Sequence, residues 1–400
     1  MCMHGDACGP GTGAPQLDWS SSIGPEQLGI FGDWVAEARR QHRLYPVASP
    51  GPATRRRVAE LLGFIDETGL PSEVKVETTW EADGLLGEEI SWSVGYGPRT
   101  RAFVLRPADH SGPLPGVLAL HDHSGFKYLG KEKIADGPEG PLASVLALRN
   151  ECYGGRAFVN ALAREGFVVL AHDTFAWGSR RFPRETMERQ LLLDRDADDV
   201  AGYNVTAALF EHVLEKNCAL MGTTFAGVLA HEDRIALSYL SSRPDVSGRR
   251  VGTIGLSGGG SRAALMAATA KHLSATVVVG MMSTYPSLLN RHVETHSWMF
   301  FPPGLARFAD WPDVAASRAP TPLLVQYDRD DALFPQDGME AAHERIAGHY
   351  RRAGAAEAYL GQFYDGPHKF DLEMQESRTP CTRSKWLRLL GPLGGPFRGF

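Results

Sequence analysis

A serine flanked by glycines is the feature of this sequence that most directly suggests chemistry. Ser257 lies in the run Gly-Leu-Ser-Gly-Gly, between an apolar stretch at 251–256 and a helix-forming stretch at 262–270. A sharp turn from strand to helix holds such a hydroxyl toward substrate and aims the first amides of the helix at the same point. Phosphate loops and dinucleotide loops need a Lys-Ser/Thr pair or another glycine spacing, and this run has neither. The pattern therefore predicts that Ser257 is a nucleophile.

A base must accompany this serine, because a serine hydroxyl is a weak nucleophile at its own pKa. In one known chain order the serine comes first, then a carboxylate, then a histidine. His368 fits that order and lies on a predicted loop just after Gly366. His343 and His349 fall inside a predicted amphipathic helix, which favours surface positions. We predict that His368 is the base.

The carboxylate that orients the base has three candidates. An apolar strand at 323–326 runs into a polar turn that carries Asp328, Asp330 and Asp331. Any of them could hold the tautomer of His368 and stabilise its charged form, and the other two would then cap the turn. The residue pattern by itself leaves this choice open.

Two backbone N–H groups are needed to stabilise the oxyanion that forms when an ester carbonyl is attacked. We predict that the first donor is the backbone N–H of Gly258, at the start of the helix after the nucleophile. We predict that the second donor is a backbone N–H of the loop at 121–125, which follows an apolar strand at 116–120.

Histidine and cysteine pairs in two places suggest metal ligands. His121 and His123 are two residues apart, and Cys2, His4 and Cys8 lie in a Gly/Pro-rich leader. Neither group completes the four ligands of a tetrahedral site. We predict no metal and no cofactor.

Together these segments resemble the dienelactone-hydrolase-like and acetyl-xylan-esterase-like group of α/β-hydrolases, over residues 116–370. The matching pieces are the 121–131 loop, Asp-Thr-Phe-Ala-Trp-Gly-Ser-Arg at 173–180, the serine turn, Asp-Ala-Leu-Phe-Pro at 331–335 and Gly-Pro-His at 366–368. The resemblance implies cleavage of carboxylic esters by a serine without metal or cofactor. It also implies that Asp331 is the acid and that the His123 amide is the second oxyanion donor. Asp122 stands where the related pattern has glycine, and dienelactone hydrolase itself uses a cysteine, which disfavours its exact substrate.

The elements that must position these residues follow from hydrophobic periodicity. Alternating residues at 74–80, 88–94 and 101–106 predict an antiparallel meander. Short apolar runs then predict buried parallel strands at 116–120, 167–171, 251–256, 276–279 and 323–326, with helices near 152–164, 223–241, 261–271 and 338–352. This order predicts an α/β-hydrolase fold, with a mostly parallel central sheet, antiparallel N-terminal strands, helices on both faces and an N-terminal helical extension.

The chain divides into two predicted parts. Residues 1–70 are predicted to form a flexible leader and a helical cap, and residues 71–400 a catalytic domain with insertions at 124–150 and 283–319. The insertions follow the carboxyl ends of strands, where α/β folds bind ligands. We therefore predict that Trp298 and Phe300 of the second insertion bind substrate, together with Trp177. Packing of these aromatic side chains over the sheet is an alternative that the sequence leaves open.

Charge and hydropathy restrict the partners. The formal net charge of −6 gives no electrostatic basis for binding nucleic acid or an anionic membrane. The sequence has no apolar run of 18 residues and no signal-peptide core, which predicts a soluble, cytoplasmic protein. The expected partner is a small ester, and the sequence predicts no oligomeric state. Two alternatives stay open: an acyltransferase, lactonase or C–C hydrolase with the same triad, and a non-catalytic binding protein.

Overall fold

A computed structural model describes residues 26–63, 69–191, 199–289 and 292–376. The predicted leader, with Cys2, His4 and Cys8, lies outside the described residues. The strands are β1 (Ser72–Ala82), β2 (Leu85–Ser93), β3 (Thr100–Pro107), β4 (Leu114–Leu120), β5 (Val168–His172), β6 (Val246–Leu256), β7 (Ala275–Val279), β8 (Leu323–Asp328) and β9 (Tyr359–Tyr364). The helices are α1 (Trp34–Gln41), α2 (Pro52–Leu62), α3 (Ala143–Cys152), α4 (Phe158–Arg164), α5 (Arg184–Leu191), α6 (Val200–Leu220), α7 (Phe225–Ser242), α8 (Gly258–Thr269), α9 (Tyr285–Leu288), α10 (Trp311–Ala316), α11 (Gln336–Arg352) and α12 (Leu372–Glu376). None of the helices in the described ranges is both long and apolar enough to cross a membrane.

The strands form a single nine-stranded sheet in the order β1-β2-β3-β5-β4-β6-β7-β8-β9. β1, β2 and β3 pair antiparallel, β3 is antiparallel to β5, and every later pairing is parallel. β5, β7 and β8 are buried along their whole length, as expected of parallel strands covered on both faces. The predicted mostly parallel sheet with an antiparallel start is confirmed.

Alternate side chains of the central strands enter two separate cores, one on each face of the sheet. In β4, Leu118 and Leu120 join the cluster that includes α2, α7, α8 and α11. Val117 and Ala119, which point the other way, join the cluster that includes α3 and α4. This separation follows from the two-residue period of a strand, and it gives helices on both faces.

Two helix predictions needed correction. The helix expected near 152–164 begins only at Phe158, as α4, because Gly154 and Gly155 adopt φ of 61° and 81° after α3 ends at Cys152. The 21-residue helix α6 was not predicted. Its buried face includes Glu211 and Glu215, which interrupt the apolar pattern that identifies a buried helix.

The parallel strands all end at one edge of the sheet, and the predicted site residues follow those ends. Ser257 directly follows β6, the 121–125 loop follows β4, Asp331 follows β8 and His368 follows β9. An edge of this kind is where α/β sheets bind ligands, so the fold brings these loops to a common position.

Candidate active site

Ser257 occupies a strained turn between β6 and α8. Its φ of 56° and ψ of −119° lie in a region that side chains rarely adopt. Such a conformation costs about 1–3 kcal/mol and persists only where neighbouring contacts enforce it. Here the Ser257 N–H donates to the carbonyl of Val279 on β7 at 2.8 Å, and the Ser257 carbonyl accepts from Ser261 at 2.9 Å. The residue is 9% exposed, at the mouth of the edge just described.

Glycines let α8 approach the end of β4 closely. A Cβ atom on Gly259 would lie 2.1 Å from the carbonyl oxygen of Leu120, and one on Gly258 would lie 2.9 Å from the backbone nitrogen of His123. The backbones of Gly258 and His123 are therefore neighbours. The Gly258 N–H is in the first turn of α8, where the helix itself supplies no acceptor. The two predicted oxyanion donors thus come together beside Ser257.

His368 and Asp331 are hydrogen bonded to each other. His368 Nδ1 and Asp331 Oδ2 are 2.6 Å apart, and both residues are buried. The other carboxylate oxygen of Asp331 accepts from the Leu333 N–H at 2.8 Å, which fixes its orientation. A Cβ atom on Gly280, the residue after Val279, would lie 3.3 Å from His368 Cε1. Because Val279 also binds Ser257, the histidine lies at the same corner of the sheet as the serine.

The imidazole of His368 is electrostatically biased toward its charged form. Burial alone would lower its pKa, but the negative charge and hydrogen bond of Asp331 outweigh this effect and raise the pKa to about 9. An acid that stabilises the imidazolium is what a general base beside a serine requires. The pair has the geometry and charge for that role.

The other two acids of the β8 turn have different partners. Asp330 is exposed and accepts from the Gly366 N–H at 3.0 Å, which joins the β8 and β9 loops. Asp328 is fully buried and accepts from the Lys369 N–H at 3.1 Å, while its Oδ1 has no hydrogen-bond partner. Burial raises the pKa of Asp328 to about 8. Asp328 is therefore a mostly neutral side chain near neutral pH.

Asp122, which stands where the related pattern has glycine, anchors the 121–125 loop. Its carboxylate accepts from Lys133 Nζ at 3.2 Å and from the hydroxyls of Tyr153 and Ser124. Lys133 is fully buried and also donates to the Asp122 carbonyl. Burial would raise the pKa of Asp122, but the Lys133 charge and these hydrogen bonds lower it instead. The loop is thus held by a buried ion pair.

The two histidines of this loop are engaged separately. His121 Nδ1 lies 3.0 Å from the Asp122 carbonyl, and burial and the nearby Lys133 charge hold its pKa well below the ordinary value. His123 Nε2 lies 3.0 Å from Glu211, and its Nδ1 accepts from the Gly125 N–H. These hydrogen bonds indicate that both histidines stabilise the conformation of the loop.

A group of described residues whose ligand atoms could hold a metal ion shares Asp331 and His368 with the predicted triad. Asp328, Asp331 and His368 offer ligand atoms that are within 4.8 Å of one another. A metal ion there would have to replace the hydrogen bond between His368 and Asp331, on which the base depends. We therefore expect exhaustive chelation to leave ester hydrolysis unchanged. Loss of activity to a chelator, restored by zinc, would contradict this and revive a metal role for the site.

The three residues predicted to bind substrate lie in different environments. Trp298 is 37% exposed, and its ring N–H donates to His212 at 2.9 Å. Phe300 is buried and packs against Trp311 and Phe334. Trp177 is buried next to the 121–125 loop, with its ring 5.1 Å from that of His123. Their contacts assign packing to Phe300 and Trp177, and the binding of substrate stays a prediction.

Two buried residues near the site were not singled out in the sequence. His296 Nε2 lies 3.0 Å from the Leu333 carbonyl, and its ring packs on Phe334, which in turn packs on His368. Burial lowers the pKa of His296 to about 3, so it is neutral. Glu211, on α6, contacts His123. Neither residue belongs to a local sequence motif, so only the folded structure shows that the two residues lie near the site.

Comparison with protein families and curated proteins gives two matches. A family model described as the C-terminal part of BAAT and acyl-CoA thioester hydrolases matches residues 234–301, a stretch that includes Ser257. YtaP of Bacillus subtilis (strain 168), which is named as a hydrolase, is 24% identical over 306 residues, or 76% of this chain and 89% of that protein.

Solved structures show the same fold. A protein of Bacteroides fragilis NCTC 9343 named as an acetyl xylan esterase matches with a TM-score of 0.61 and 14% identity, over 85% of this chain and 82% of that one. A glucuronoyl esterase from Solibacter usitatus matches with a TM-score of 0.54 and 14% identity, over 84% and 91%. The predicted α/β-hydrolase fold is thereby confirmed.

Proposed function

We propose that this protein is a serine hydrolase that cleaves a small carboxylic ester through an acyl-enzyme intermediate. Ser257 is the nucleophile, His368 the general base and Asp331 the residue that orients it. The N–H groups of Gly258 and His123 stabilise the oxyanion. No metal or cofactor takes part.

One observation supports this proposal above all. A strained serine between β6 and α8 and a hydrogen-bonded His368–Asp331 pair meet at Val279 and Gly280 of a single sheet edge. Strain of this kind concentrates at functional sites, and the backbones of His123 and Gly258 adjoin the same turn. The hydrolase and esterase names of the proteins with this fold agree with the proposal.

The proposed reaction uses each group once in each half. Ser257 Oγ attacks the ester carbonyl while His368 Nε2 takes its proton, because Nδ1 is committed to Asp331. The carbonyl oxygen becomes an oxyanion held by the two amides, and it collapses as His368 returns the proton to the leaving alcohol. Water then repeats the sequence on the acyl-enzyme, which releases the acid and restores the serine.

A thioester is a second candidate substrate. The family model that covers Ser257 is described by its acyl-CoA thioester hydrolases. The same triad would cleave a thioester with thiolate as the leaving group, which needs less protonation by His368 than an alkoxide. A matched pair of acyl ester and acyl thioester of equal chain length would separate the two by their kcat/KM values.

The direct test is a panel of p-nitrophenyl esters of graded acyl length. We expect turnover that a serine-directed fluorophosphonate abolishes at one equivalent. Transfer and hydrolysis are separated by measuring the partition of the acyl group between water and an added alcohol or amine. A protein that hydrolyses no ester or thioester, and takes up no phosphonate, would be a binding protein on this fold.

Substrate size should depend on the 283–319 insertion. Trp298 leaves more than a third of its side chain exposed next to Ser297, which is joined through Glu211 to the oxyanion loop. Opening an apolar wall changes discrimination by roughly 1–3 kcal/mol per methylene-sized change. We therefore expect Trp298→Ala to shift the preferred acyl length upward while a small phosphonate still labels Ser257.

The matched control is Trp34→Ala, which removes an exposed tryptophan from α1, outside both insertions. It should keep the wild-type profile of activity against acyl length. If Trp298→Ala keeps that profile as well, the wall must be formed by residues 124–150.

A further inference from the structure

Glu211 is a buried carboxylate that receives four hydrogen bonds from two separate segments, the 121–131 loop and residues 297–298. It is 1% exposed, in the middle of α6. Its Oε2 accepts from His123 Nε2 at 3.0 Å and from Lys127 Nζ at 2.5 Å. Its Oε1 accepts from the Trp298 N–H at 2.9 Å and from the Ser297 hydroxyl.

The charge of Glu211 is compensated locally. Burial would raise its pKa, but the charge of Lys127 and the hydrogen bonds of His123 and Lys127 hold it well below the ordinary value. The Lys127 ammonium also lies 4.4 Å above the Trp177 ring. Glu211 is therefore ionised and can only accept hydrogen bonds, so each neighbour must turn a donor toward it.

This requirement determines the state of His123. Its Nε2 must carry the proton that is donated to Glu211, and its Nδ1 must be unprotonated because it accepts from the Gly125 N–H at 3.0 Å. The ring is held at both nitrogens and packs edge-on against Trp177. With the ring fixed at both ends, the backbone of His123 is held where its nitrogen adjoins Gly258.

The second pair of hydrogen bonds reaches the segment that we expect to wall the substrate. Ser297 and the backbone of Trp298 are tied to the same carboxylate as His123, although 86 and 87 positions separate them from Glu211. A buried ion pair is weak evidence for stability, since apolar replacements often match it. Its value here is geometric, because one group sets the relative position of two loops.

We propose that Glu211 is a positioning residue that holds the oxyanion loop and the 297–298 wall in one preorganised arrangement. This inference rests on the proposed function and adds a residue to it. Donors fixed before the reaction stabilise the transition state without reorganisation. Loss of the carboxylate should therefore both lower kcat and weaken the selectivity for acyl length. Substrate binding by the remaining pocket should change less.

The test is Glu211→Gln, with Glu215→Gln as the matched control. Glu215 lies one turn further along α6, is also buried, and accepts from the Phe225 N–H at 2.8 Å, away from the loop. An amide at 211 presents an NH₂ group to at least one of the former donors. Removal of a whole oxyanion donor costs ~10²–10³ in kcat, so its displacement is expected to cost roughly 10–100-fold. KM should change by less than the fold-change in kcat, and the profile of activity against acyl length should broaden.

A second readout separates positioning from general damage. A boronic acid that forms a tetrahedral adduct on Ser257 should lose affinity for Glu211→Gln by about the factor lost in kcat, since both depend on the oxyanion donors. Circular dichroism and Tm identify a misfolded variant. If Glu211→Gln does not fold, Glu211→Gln/Lys127→Met removes both charges together, and Ser297→Ala removes a single wall contact. Ser297→Ala should alter the acyl profile.

The outcomes are distinct. A folded Glu211→Gln with kcat, acyl profile and boronate affinity like those of Glu215→Gln would overturn the positioning role, and so would a Ser297→Ala variant with an unchanged profile. Wild-type protein that cleaves no ester and takes no label would instead refute the proposed function.

Discussion

Ser257→Ala should abolish turnover. Removal of the nucleophile from a serine triad costs about 10⁴ to 10⁶ in kcat, because base and acid then have nothing to activate. A fluorophosphonate should add one equivalent to the wild type, with the adduct on the peptide that contains Ser257, and none to the variant. The strained φ of 56° adds a second expectation, that Ser257→Ala gains no stability from relief of backbone strain. Alanine keeps the Cβ atom, so the strain in the turn persists.

Ser261→Ala is the control within the same peptide. Ser261 lies on the first turn of α8, is buried, and donates its hydroxyl to the Gly258 carbonyl at 2.8 Å. This variant should still take up the label. An adduct on another serine, or full activity in Ser257→Ala, would show that the nucleophile has been misassigned.

Asp331→Asn should be the next most damaging change. The amide keeps the shape but offers His368 Nδ1 the wrong partner, and a loss on the order of 10⁴ in kcat is expected. Asp331 also raises the pKa of His368 to about 9 in the intact site. Without that charge burial dominates and the pKa of His368 falls. The imidazole then stays neutral to lower pH, so the acid limb of kcat/KM should move down in pH in the residual activity.

Asp328→Asn and Asp330→Asn provide the matched comparison on the same turn. Both should cost much less than Asp331→Asn. At pH 7 the Asp328 carboxyl is largely protonated, since burial raises its pKa to about 8, so asparagine nearly reproduces it. Asp330 uses its carboxylate to accept from the Gly366 N–H, which an amide oxygen can also do. If Asp328→Asn is the most damaging of the three, the acid is Asp328.

Local sequence was sufficient where a motif and its context lie within one turn. Gly-Leu-Ser-Gly-Gly between an apolar strand and a helix predicts the turn at Ser257, because the glycines are required by close approach of α8 to Leu120. The parallel strands can be predicted from the sequence equally well, since burial on both faces produces continuous apolar runs. Strand boundaries differ from prediction by a few residues, as in β6, which begins at Val246.

Long-range polar contacts cannot be predicted from local sequence in the same way. Lys127, Lys131 and Lys133 belong to a stretch that reads as a polar insertion, yet all three are buried with carboxylate partners. The partner of Lys127 is Glu211, 84 positions away. Periodicity describes one element at a time, so it cannot show which buried charge in α6 will meet which loop. The two buried residues near the site that periodicity missed, Glu211 and His296, both depend on such contacts.

The order of the strands has a consequence for synthesis of the chain on the ribosome. The serine turn follows β6, whereas the proposed acid and base, Asp331 and His368, follow β8 and β9, the last two strands along the described part of the chain. Domains emerge and organise from the N-terminus during translation. A nascent polypeptide that has exposed its chain only through β7 therefore contains Ser257 but not yet His368, the proposed base. Reactivity of the serine would thus mark the moment at which β9 pairs with β8.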